Sequence, residues 1–146
     1  MTSFSIILSK EKFEYEGEWV ASGSLKVGSL TEDFHASLSY WDREKYLSQW
    51  KEALNRLLRG ESRSAIVTTM YDPQTANFIL WWVMYLIGGN VYVQNHVLFL
   101  DELTRPFDEQ NLYSFIPDRE EYTEEGELIS EWVIKITDIK RCISFL

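Results

Sequence analysis

Apolar and polar positions alternate along the N-terminal third of the chain. Residues 5–8 and 13–20 read as strands, the second because Phe13, Tyr15 and Trp19 alternate with Glu14, Glu16 and Glu18. A period of two puts the aromatic rings on one face and the carboxylates on the other. Gly17 inside that run, and Gly23 and Gly28 after it, predict bulges or tight turns on the way to strands over 25–30 and 34–38. The segment is therefore expected to be an antiparallel meander.

The period then changes. Over 42–59, Tyr46, Leu47, Trp50, Ala53, Leu54, Leu57 and Leu58 recur at helical spacings, so this stretch is the main helix and its stripe faces the core. Asp42 or Ser39 can cap its start, and Gly60 stands where a left-handed residue ends a helix. Arg43, Lys45, Gln49, Lys51, Glu52 and Arg56 fall on the opposite face and are expected in water, with Glu52 and Arg56 paired four residues apart.

Three strands follow in close succession, over 65–71, 78–86 and 91–100. Asp72 and Pro73 open the first connection, and Gly88, Gly89 and Asn90 make the second a tight hairpin. The stretch 78–86 is apolar at every position, which predicts a central strand covered on both faces, with the helix as one cover. Residues 101–127 form a polar connection broken by a short helix over 108–115 that Pro117 stops. A last strand is predicted over 128–137 and a terminal helix over 138–145. The fold class expected is α+β: antiparallel sheets of meanders and hairpins packed with one main amphipathic helix and shorter helices, in one domain spanning 1–146.

Composition sharpens this picture at two points. With 146 residues, 45% of them hydrophobic and 15% aromatic, the chain has the material for one sheet-rich core. Its charge is regional: residues 101–134 hold eleven of the 23 acids against Arg105 and Arg119, a local balance of −9 that equals the net charge of the whole chain. A field this concentrated attracts a basic partner and repels nucleic acid and anionic membrane. The one cysteine, Cys142, excludes an intrachain disulfide, and no spacing of Cys and His suits zinc. Residues 1–8 lack the basic, apolar and small-residue order of a secretory leader, and the longest apolar run, 78–87, is too short for a membrane helix. The cytoplasm is the expected compartment.

The usual catalytic signatures are missing: no GxSxG elbow, no GxxxxGK[ST] phosphate loop, no GxGxxG after a strand, no HExxH. His35 and His96 both lie inside predicted strands, where a packed or solvent-facing histidine outweighs a catalytic base. Glu120, Glu121, Glu124 and Glu125 could serve general acid/base chemistry or a hard cation only if a rigid frame made them converge, and the run through Glu127 matches no calcium-loop register. No metal site, cofactor or catalytic residue is expected. Aromatics interleaved with acids instead suit a protein interface, with buried anchors inside a charged rim. The acids nominated are Asp101, Glu102, Asp108, Glu109, Glu120, Glu121, Glu124, Glu125 and Glu127, with Tyr113 and Tyr122 as candidate anchors.

The middle of the chain carries a longer likeness. Leu38, Ser39, Tyr40, Trp41 and Asp42 lead into the helix, followed by Ser64, Ala65 and the strand to Met70 and Tyr71 with Asp72 and Pro73. Asn77, Phe78 and Ile79 come next, then Val91 to Asn95, Leu98 to Leu100, and Ile129, Ser130, Glu131 and Trp132. This ordered set resembles the CdiI immunity proteins of bacterial contact-dependent growth inhibition, in the branch described as Whirly-like. The resemblance runs over roughly 38–132.

The resemblance implies a non-enzymatic inhibitor that stays in the producing cell and binds the C-terminal toxin domain of a CdiA effector, with a nuclease as the implied toxin. It transfers no contact residue, so the acidic nominations rest on charge pattern alone. A nuclease toxin must be basic around its substrate, and an acidic surface that occludes it fits the charge distribution. Two rival readings remain open on sequence: a Whirly-like single-stranded nucleic-acid binder, which the charge opposes, and a hydrolase built on the acidic loop.

Overall fold

The computed structural model describes residues 3–146 and contains two antiparallel sheets, two α-helices and two short 3₁₀ turns. The first sheet is a meander of β1 (Phe4–Tyr15), β2 (Glu18–Val27) and β3 (Leu30–Ser37), in that order. The second holds β4 (Arg63–Thr69), β5 (Phe78–Ile87), β6 (Asn90–Phe99) and β7 (Trp132–Lys135), also in chain order. Helix α1 (Arg43–Leu58) joins the sheets, and α2 (Ile136–Ile143) follows β7.

The N-terminal strands differ from the sequence reading. Alternation over 13–20 belongs to two strands and the turn between them, because Glu16 at φ 50° and Gly17 at φ 84° reverse the chain and pair Tyr15 with Glu18. Gly23 lies in mid-strand opposite Leu8 and Phe34, while the bulge is in β1 between Leu8 and Lys12. The Arg43 guanidinium fills that bulge, donating to the Leu8 carbonyl at 2.9 Å and to that of Ser9 at 3.1 Å.

Helix α1 forms as its pattern predicts. Asp42 caps it by accepting from the Lys45 N–H at 2.8 Å. Gly60, at φ 92°, closes it in a Schellman motif with N–H bonds from Gly60 to Leu57 and from Glu61 to Arg56, each 3.0 Å. Tyr46, Trp50, Ala53, Leu54 and Leu57 are buried, but Leu58 is exposed. Gln49, expected in water, is buried as well, because it faces β4 and finds backbone partners there. The helix packs chiefly on β4, and its buried residues share one core cluster with those of β5.

Strand β5 is interior to its sheet and buried on both faces, through Ile79, Trp81 and Val83 on one side and Trp82 and Met84 on the other. Residues of both sheets, both helices and the segment Leu112–Ile116 form one continuous core cluster. One half-buried bond links the sheets directly, the Thr69 hydroxyl donating to the His35 carbonyl at 2.7 Å, and Tyr46 of α1 adds a buried link, donating to the Ser37 carbonyl at 2.6 Å and accepting from the Met70 N–H at 2.9 Å.

The last strand is shorter than expected and the terminal helix begins two residues earlier. Strand β7 is confined to Trp132–Lys135, since residues 128 and 129 pair with an earlier segment. Helix α2 starts at Ile136, where the Asp138 carboxylate accepts from the Lys135 N–H at 3.1 Å and caps it. No helix of the described residues is long and apolar enough to cross a membrane.

Candidate functional site

The acidic connection between β6 and β7 is ordered from its own residues. Asp101 and Glu102 lie exposed in a 3₁₀ turn, Leu100–Glu102. Asp108 caps the second 3₁₀ segment, Glu109–Phe115, by accepting from the Gln110 N–H at 3.0 Å, and the predicted helix is kinked at Asn111. Leu112, Phe115 and Ile116 bury themselves and fix this segment to the core. The Tyr85 hydroxyl then holds the Pro117 carbonyl at 2.9 Å, and Arg63 pairs with Asp118.

Glu109 and Tyr113 are engaged within the chain. Glu109 accepts from the Tyr40 hydroxyl at 2.6 Å and from the Trp41 indole N–H at 3.1 Å, and this carboxylate pushes the Tyr40 hydroxyl up to about 12. The Tyr113 ring lies under the Arg56 guanidinium at 4.1 Å and its hydroxyl accepts from Gln49 at 3.2 Å. Burial pushes that hydroxyl up to about 12. Half-buried, Tyr113 works as an internal strut of the α1 side.

Glu120, Glu121, Tyr122, Glu124, Glu125 and Glu127 fall together in a different place, on a small β-hairpin that the sequence reading did not foresee. Tyr122 bridges Leu128, with N–H bonds from Thr123 to Glu127 at 2.8 Å and from Ile129 to Glu121 at 2.9 Å. The tip is Glu124, Glu125 and Gly126, with Gly126 at φ 85° and its N–H on the Thr123 carbonyl at 2.9 Å. All six nominated side chains here are exposed.

Beneath this hairpin sits a cluster that charge counting also missed. Arg119 grips Glu131 with two bonds, 2.8 Å and 2.6 Å, so the residues before and after the hairpin are locked together. Gln94 on β6 adds a 2.7 Å bond to Glu131 and one of 3.1 Å to the Glu120 carbonyl, and the Arg119 guanidinium rests on the Tyr92 ring at 4.5 Å. Burial raises the Glu131 carboxyl, but the bonds from Arg119 and Gln94 outweigh it and hold the group below the ordinary carboxylate range. Arg119 was the available signal: a lone cation among carboxylates is rarely left to solvent.

The histidines take packing roles. His96 is half-buried with Nε2 at 2.8 Å from Gln94 Oε1, and burial lowers its pKa. His35 is exposed between the Phe13 and Tyr15 rings, at 5.4 and 4.5 Å. Among the described residues, no group of three or more His, Cys, Asp or Glu is placed to hold a metal ion.

Comparison with known proteins bears on the chain as a whole. A model of the CdiI N-terminal domain family matches residues 36–142. The immunity protein CdiI of Enterobacter cloacae subsp. cloacae is 37% identical over 142 residues, an alignment covering 97% of this chain and 95% of that protein. A chain of the solved CdiA-CT/CdiI toxin and immunity complex from Enterobacter cloacae superposes with a TM-score of 0.88 at 34% identity, over 97% of each chain.

Proposed function

Since the chain belongs to the CdiI N-terminal domain family, we propose that it is an immunity protein that binds the C-terminal toxin domain of a cognate CdiA effector and neutralises it in the cytoplasm of the producing cell. The observation that carries this reading is the full-length likeness, in sequence and fold together, to a chain of a toxin and immunity complex.

The mechanism we infer is occlusion without chemistry. The carboxylates of 101–127 give the molecule one strongly negative region, suited to a toxin whose surface is basic because its substrate is a polyanion. A nuclease is the class that fits. Steering by such a field raises association rates to about 10⁸ M⁻¹ s⁻¹ at low salt, which matters when few toxin molecules suffice to kill. Asp101, Glu102, Glu120, Glu121, Glu124, Glu125 and Glu127 are the exposed acids proposed to face the toxin, whereas Asp108, Glu109 and Tyr113 hold the connection in shape behind them.

The test is protection. Cells producing the toxin domain encoded beside this gene should arrest, and co-production of this chain should restore growth, with the two proteins purifying as a stable complex. Growth arrest that persists in the presence of abundant, folded chain would refute the reading.

A further inference from the structure

Two exposed apolar side chains stand on the acidic hairpin, where the core makes no use of them. Leu128 is 72% exposed and Tyr122 57%. Their backbone pairing is of the non-hydrogen-bonded kind, since the flanking residues make the ladder bonds, so both side chains project from one face at close approach. Beside them runs a shallow groove lined by Glu121, Leu128, Ile129, Ser130, Glu131 and Trp132. Adjacent apolar side chains rimmed by charge are the kind of surface that marks an interaction site, whereas scattered single ones are ordinary.

We propose that residues 121–129 form a preformed docking finger, whose Tyr122 and Leu128 pack into an apolar recess on the toxin domain while the finger's carboxylates pair with basic residues rimming that recess. This rests on the immunity reading and says which part of the acidic region holds the toxin.

Charge selects the occupant. Residues 120–131 contain six glutamates and no lysine or arginine, and the adjacent Arg119 is consumed by Glu131. A second copy of the chain would bring like charge against like, and an anionic membrane would repel the same face. A basic protein surface meets both requirements. The finger is also ordered in advance by its ladder, by Gly126 and by the Arg119–Glu131 lock, which lowers the ordering cost of binding. A ring and an aliphatic side chain inside a charged rim form the arrangement in which a few residues dominate affinity.

The experiment is binding of the purified neighbouring toxin domain to the full chain. The double variant Tyr122→Ser/Leu128→Ser should weaken affinity at least thirtyfold, mostly by faster dissociation, with an unchanged melting temperature. The control Ile7→Ser removes an equally exposed apolar residue, 65% accessible on the first sheet, and should leave affinity within twofold. Hydrogen exchange over 119–131 should slow in the wild-type complex. Wild-type affinity in a folded double variant overturns the finger while leaving the immunity reading standing, as does an equal loss in the Ile7 control. A wild-type chain that does not bind the toxin overturns both, and finger-dependent dimerisation without toxin overturns the choice of occupant.

Discussion

The side-chain amide of Gln49 acts as a missing strand beside Val67: its Oε1 accepts from the Val67 N–H at 2.8 Å while its Nε2 donates to the Ala65 carbonyl, also at 2.8 Å. Strand β4 is the edge of its sheet, and an unprotected edge pairs with other chains. Trp50 extends the seal with an indole bond to the Val67 carbonyl at 2.7 Å, and Arg56 with one to that of Arg63 at 2.9 Å. The helix thus closes the sheet through polar side chains on its buried flank. Gln49→Leu, similar in size, leaves a buried donor and acceptor without partners and should cost about 2–4 kcal/mol. Urea denaturation measures it, and a loss under 1 kcal/mol would show the edge to be satisfied by water.

Gly23 carries a second structural prediction. A Cβ built there would meet the Phe34 ring at 2.3 to 2.9 Å, so the ring lies flat on the glycine across the strand pair. Phe34 also meets Trp50 edge to face at 6.1 Å. Gly23→Ala must push the ring off both supports and should destabilise by about 1–3 kcal/mol, although alanine elsewhere in a strand favours the fold. The double variant Gly23→Ala/Phe34→Leu should recover part of that loss. Equal losses in the single and double variants would place the strain elsewhere.

Such contacts explain which parts of the fold the sequence disclosed. The α1 stripe, the Asp42 cap and the hairpin at Gly88 were legible because each is encoded within a few residues. The alternation of Phe13, Tyr15 and Trp19 misled because a two-residue turn preserves the rhythm of large side chains while reversing the chain, and only Gly17 betrays it. Gln49 was misplaced because polarity says nothing about whether an exposed backbone edge lies opposite. On the candidate site, sequence supplied the charge but not its frame. Tyr113 and Tyr122 look alike in a string of acids, yet one is braced under Arg56 and the other stands free on a hairpin, a distinction made by partners more than fifty residues away.

Charge on the finger is expected to act on rate. The side chains of Glu124, Glu125 and Glu127 are exposed and enter no hydrogen bond or ion pair among the described residues, so replacing all three by lysine should leave the melting temperature within about 2 °C, the scale of exposed-site effects. Association with the toxin domain should slow at least tenfold at low salt, and its dependence on ionic strength should flatten, because steering acts through the long-range field that salt screens. Stopped-flow rates at two salt concentrations decide the matter. An unaltered rate with an unaltered slope would remove these three residues from the approaching surface.

The Arg119–Glu131 lock should give the protein a distinct acid response. Glu131 titrates below its ordinary value of 4.5 because the Arg119 and Gln94 bonds to its carboxylate outweigh the effect of burial. A carboxyl depressed in the folded state stabilises that state above the unfolded pKa, and loses that contribution as pH falls through the folded one. At pH 7, Glu131→Gln keeps the shape but gives up the charge, leaving Arg119 with a weaker acceptor, and should cost roughly 1–2 kcal/mol. Below about pH 4.5 the contribution of the wild-type charge fades, so the gap between wild type and variant should be narrower at pH 3 than at pH 7. Denaturant midpoints at the two pH values test this. A gap as wide at pH 3 as at pH 7 would mean that Glu131 contributes by packing and not by its charge, and the lock at the base of the hairpin would then be steric.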